Sequence, residues 1–139
     1  MKAILFYLFL ISSFFSVAQE ECSLGIGGQD DETIAEVFQL SEIQLEKLKN
    51  WSAELKVRND HLKNQAEYLL KRHAQSSPED LMNISYKYRD LLDSMKQNSR
   101  MLDKRLLSIF NDRQYNFYIK LCNQLTLRPI YIDRSVNEK

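Results

Sequence analysis

A chain of 139 residues with 19 basic and 19 acidic side chains supports one modest domain and no nucleic-acid role resting on net charge. Those 19 basic residues fall to 18 once Lys2 is set aside with the leader described below, so the remaining chain is near neutral. It carries no net positive charge with which to neutralise phosphates.

Lys2 places a positive charge at the start, and Ala3 to Phe15 is an almost unbroken apolar run. Ser16-Val17-Ala18 then provides the small residues expected before a cut after Ala18. This is the anatomy of a secretory signal peptide over residues 1–18. The apolar run is shorter than the ~20 residues of a spanning helix, so no stable membrane insertion is expected after cleavage. Gln19, Glu20 and Glu21 precede Cys22, whereas small and apolar residues precede a lipidated cysteine. Four of the seven phenylalanines leave with the leader, and the rest of the chain is thin in core-forming residues. A small domain hides a smaller share of its surface, which makes self-association into a homodimer a natural remedy.

All three glycines (Gly25, Gly27, Gly28) and the pair Asp30-Asp31 fall in residues 19–31, which read as a flexible lead-in. A phosphate-binding loop would need a preceding strand and a closing lysine, and the sequence offers neither. Cys22 and Cys122 are the only cysteines. Export would allow them to pair, and closing so long a loop would contribute on the order of a few kcal/mol. Separate thiols, or a bridge between two chains, fit the sequence as well.

The helical domain spans residues 32–127. A short helix is predicted from Glu32 to Phe38, with Ile34, Val37 and Phe38 on one side. Next comes Leu40-Ser41-Glu42-Ile43-Gln44, a capping box. Ser41 accepts the amide hydrogen three residues on, while Gln44 reaches back to the cap amide. From Glu42 to about Ala74 there is no helix breaker, and Leu48, Leu55, Leu62 and Leu69 recur every seven residues. That stripe is narrowest between Asn59 and Asn64.

Ser77 caps the next helix, Pro78 takes its first position, and Glu79 and Asp80 complement its positive end. This helix runs from Pro78 to about Ile109, with Leu81, Tyr88, Met95, Leu102 and Ile109 repeating every seven residues. Phe110-Asn111-Asp112-Arg113-Gln114 then repeats the capping-box pattern and opens a final helix. Arg128-Pro129 ends it, leaving residues 128–139 as a loose polar tail.

The fold class is therefore all-α. Two long helices of about 32 residues each, roughly 50 Å, are joined by a short turn and must lie antiparallel. Folding back brings Leu40-Ser41 beside Phe110-Asn111, so both boxes share the base of a hairpin with the short helices alongside. Leu40 and Phe110 can pack there as hydrophobic staples.

These paired motifs, some seventy residues apart in an exported helical chain, resemble those of the Spy/CpxP-like family, named for two LTxxQ motifs. Serine and asparagine stand in for threonine here, and phenylalanine for the second leucine, each preserving cap and staple. The resemblance covers Leu40 to Leu125. It implies a dimeric periplasmic protein of Gram-negative bacteria that holds unfolded or regulatory polypeptides without ATP, as a chaperone or envelope-stress regulator. The alternative it carries is a heavy-metal-responsive sensor acting through a membrane partner.

The residues themselves suggest no metal, cofactor or catalytic site. His61 and His73 are twelve apart and share no helix face. A zinc, nickel or cobalt site needs several converging ligands. The glutamate-x-x-histidine repeats of di-iron bundles are absent, the helix acids read as solvated, and Ser41 and Asn111 are committed to caps, so no enzyme activity is expected. Among the aromatics, Tyr88 and Phe117 fit the core, while Tyr86 and Tyr115 are candidates for an outward partner surface.

Overall fold

The computed structural model describes residues 19–133; the expected leader (1–18) and the end of the tail (134–139) lie outside the described residues. Among the described residues four helices form: α1 (Asp31–Val37), α2 (Glu42–Arg72), α3 (Pro78–Ile109) and α4 (Asp112–Gln124). Among the described residues the only extended pairing is a single parallel bridge between Glu21 and Arg128. The all-α class is as expected.

Each start is set by a local cap. Ser41 accepts from the Gln44 amide and Asn111 from the Gln114 amide, and in both boxes the glutamine carbonyl oxygen accepts from the cap amide in return. Ser77 accepts from the Asp80 amide, with Pro78 in the first helical turn. Helix α2 stops at Arg72, slightly before the expected Ala74, with Lys71 and Arg72 in its negatively polarised last turn.

Contacts between α2 and α3 descend in register. Gln44 meets Ile109, Glu54 meets Arg105, and Asn59 meets Asn98. The two helices thus run antiparallel from one shared end. Burial is lower away from that end, with Ala66 and Ile84 as exceptions. Leu48, Leu55 and Leu102 are buried, their heptad successors Leu62, Leu69, Tyr88 and Met95 only half-buried, and Leu81 is exposed. Among the described residues between 56 and 100, only Ala66 and Ile84 are buried apolar side chains. The polar Asn59–Asn98 contact (3.2 Å) crosses the seam where the stripe of α2 thins. The molecule is therefore a packed base carrying a thinly covered arm.

Several expectations give way at the base. The lead-in is not free: Cys22 and Ile26 are buried, and Ile26 retains only 2% exposure. Nor is the beginning of the tail loose. Ile130 is buried, and the Arg128 carbonyl accepts from the Cys22 amide at 2.8 Å. The two cysteines are bonded within the chain. Not all helix acids are solvated either, because Asp103 on α3 is completely buried.

Candidate functional site

Two glutamines brace the base. The Gln44 side-chain amide donates to the Gln114 Oε1 at 2.9 Å, and that of Gln114 donates to the Gln44 Oε1 at 3.0 Å. Each spare donor hydrogen then serves the helix preceding the other motif. Gln44 Nε2 reaches the Ile109 carbonyl at 2.8 Å, and Gln114 Nε2 reaches the Phe38 carbonyl at 2.9 Å. Every polar atom of both buried side chains is used, as burial demands. The six motif residues converge here: Leu40 lies half-buried against the core cluster, while Phe110 sits inside it with its ring 4.9 Å from that of Phe38.

A strap formed by residues 19–27 crosses this base. Asp103 holds it: Oδ2 accepts from Ser23 Oγ (2.8 Å) and the Leu24 amide (2.9 Å), and Oδ1 accepts from the Ile26 amide (3.3 Å). Burial pushes the Asp103 carboxyl above its ordinary value, against the opposing pull of these donors. Tyr118 ties the strap to the chain after α4. Its hydroxyl donates to the Cys22 carbonyl at 2.7 Å and accepts from the Ile130 amide at 2.9 Å. Burial pushes this phenol up to about 12. Gly27 lies at φ +83°, and a Cβ there would meet Leu55 Cδ2 at 2.6 Å, so strap and α2 touch backbone to side chain.

Sequence reasoning missed Asp103 and Tyr118 as organising residues. A signal for Asp103 existed. Leu102, Leu106 and Leu107 stand one before and three and four after it, which puts an acid on the apolar arc of α3. Nothing local marks Tyr118, whose partners are at positions 22 and 130.

Tyr86 and Tyr115 do not share a surface. Tyr86 is half exposed on the arm, with the Arg89 guanidinium 5.2 Å from its ring centroid. Tyr115 turns inward at the base, and its hydroxyl donates to the Ile130 carbonyl at 3.3 Å. The histidines stay apart: His61 Nε2 lies 3.1 Å from Gln65 Nε2, and His73 Nδ1 lies 3.1 Å from Ser76 Oγ. Among the described residues, no three His, Cys, Asp or Glu side chains gather to hold a metal ion.

The arm presents the larger apolar surface. Tyr68 and Met82 are 62% and 63% exposed, joined by Leu70, Leu81, Tyr86 and Leu92. A shallow groove of about 380 Å³ runs along the arm between Tyr68, Leu69, Lys87 and Leu91. A second cavity of about 410 Å³ opens at the base beside the glutamine brace, lined by Val37, Phe38, Gln39, Arg113 and Phe117. Compared with family models, curated proteins and solved structures, the chain matches none.

Proposed function

We propose that this chain is an exported, periplasmic holder of unfolded or regulatory polypeptides that works without ATP, in the manner of Spy/CpxP-like chaperones and envelope-stress regulators. The observation that carries this reading is the arm. Beyond the base its apolar stripes are mostly half-buried, and Tyr68, Leu70, Leu81, Met82, Tyr86 and Leu92 are exposed, so large side chains stay available to a partner without the base coming apart. Positive charge is mixed with them: residues 56–100 hold nine basic and six acidic side chains. An unfolded segment can therefore meet apolar and charged groups on one surface.

Two further features support it. The paired motifs that carry the family resemblance meet through Gln44 and Gln114, so they act as one structural unit. The Cys22–Cys122 bond suits an oxidising compartment. In this reading two copies associate through part of the arm, and sedimentation equilibrium measures that directly.

The test is suppression of aggregation. Purified chain lacking the leader is expected to protect several denatured clients at near-stoichiometric ratios without nucleotide. Absence of protection for every client tried removes the holding function. Metal sensing, the alternative carried by the resemblance, requires ligands from two copies. Calorimetric titration with nickel, cobalt, zinc and copper tests it, with micromolar binding lost in His61→Ala or His73→Ala as the result that would favour it.

A further inference from the structure

The cavity at the base is separate from the arm and has a chemistry of its own. Its apolar walls are Val37 and Phe117, 43% and 39% exposed, and Phe38 packs edge-on to Phe117 with ring centroids 5.8 Å apart. The Val37 and Phe117 side chains are only partly covered. Arg113 lines the same cavity, is exposed, and has no ion pair or hydrogen-bond partner among the described residues. It stands in the first turn of α4, at the positive end of that helix, which it shares with Asp112. Gln39 and Asn111 also line it. Only the Asn111 oxygen is used, in the cap, which leaves its amide hydrogens for a carbonyl. An aromatic pocket with one free guanidinium and amide donors in its lining is complementary to an apolar group that carries a carboxylate and continues into a peptide backbone.

We propose that this groove binds the C-terminal residue of a polypeptide, its apolar side chain against Phe117 and Val37 and its terminal carboxylate on Arg113. The proposal rests on the polypeptide-binding reading above and names one determinant that such a partner carries. The volume suits one or two residues, so the groove selects a chain end while the arm holds chain length. Internal segments lack the terminal carboxylate and reach Arg113 only through an acidic side chain or a backbone carbonyl.

Fluorescence polarisation with labelled hexapeptides ending in phenylalanine tests this on the purified chain. The free-acid peptide is expected to saturate, and its C-terminal amide to bind about tenfold more weakly, the loss of one charged hydrogen bond. Arg113→Gln should bring the acid down to the level of the amide and leave the amide unchanged. Phe117→Ser should weaken both; if its thermal melt shows a damaged fold, Val37→Ser in the same lining takes its place. Equal binding of acid and amide overturns the proposal. So does an Arg113→Gln variant that binds like the parent, or competition by 3-phenylpropanoate as strong as by the peptide, which would make the ligand a small free acid. Aggregation suppression measured in parallel separates the two claims. Protection of clients without carboxylate preference removes only the groove assignment, and carboxylate-selective peptide binding without protection upholds the groove while removing the holding function.

Discussion

Gln44 and Gln114 each do three things: close a capping box, pair with each other, and satisfy the last carbonyls of a neighbouring helix. Truncating either one strands buried partners, so Gln44→Ala and Gln114→Ala should each cost about 2–4 kcal/mol in urea unfolding. Because they share bonds, the double variant should be less damaging than the sum, with a coupling of about 1–3 kcal/mol; additive losses would mean the pair does not act together. Tyr118 makes a prediction about pH. Its phenol is held near 12 in the fold, by burial first, against an ordinary value of 10.0. The unfolded chain therefore loses this proton before the folded one does. The contribution of Tyr118 is intact below pH 10 and is lost as pH rises through about 12. Chemical unfolding from pH 9 upward should show this decline, and Tyr118→Phe should flatten it while lowering stability at neutral pH. An unchanged slope in the variant would place the alkaline loss elsewhere. Asp103 shows how a carboxylate can serve as a receptor for backbone: Ser23 and the amides of Leu24 and Ile26 all point at it.

Helices α1 and α4 end alike. Leu40 N–H returns to the Ala35 carbonyl and Leu127 N–H to the Cys122 carbonyl, around Gln39 and Thr126 at φ 49° and 55°. Glycine usually fills that place, and a β-branched threonine there is strained. Thr126→Gly should therefore stabilise by roughly 0.5–1 kcal/mol, relief of strain exceeding the entropy cost; a destabilised variant would contradict the assignment. The strap is held instead by distant partners: the disulfide, Asp103, Tyr118, the Arg100–Glu21 ion pair at 2.7 Å and backbone bonds to Arg128. Replacing both Cys22 and Cys122 by alanine should cost up to about 4–5 kcal/mol for a loop of this length. Far-UV circular dichroism should nonetheless retain its helical signal at neutral pH; collapse of that signal would make the disulfide indispensable. The starts of α2, α3 and α4 were legible in the sequence because Ser41, Ser77 and Asn111 act within three residues of themselves. The strap and the packed tail were not, because what holds them lies far along the chain: Cys22 is bound by residues 118, 122 and 128. Glycines that suggest freedom, at 25 and 27, instead supply the positive φ values that let the strap turn onto α2.

The base concentrates nearly all the buried apolar side chains, and the arm keeps large ones at its surface. Charge follows a similar division. Residues 19–46 contain eight acids and no base, whereas the arm has more bases than acids. Unfolded segments with acidic residues should therefore be held more tightly on the arm than basic ones, and raising the salt concentration should narrow that difference. Binding that is indifferent to both charge and salt would leave only the apolar contribution. The half-covered arm also explains why the sequence carries a full heptad repeat with so little core to show for it: Leu62, Leu69, Tyr88 and Met95 keep the helical pattern but lack a third element to cover them. Which partner covers them is the question on which the functional account turns. Hydrogen exchange followed by mass spectrometry, with and without a permanently unfolded client, addresses it most directly. Added protection is expected within residues 56–100, concentrated around Tyr68, Met82 and Tyr86, with the strap and the glutamine brace unchanged. Protection confined to the base, or none anywhere at saturating client, would contradict it.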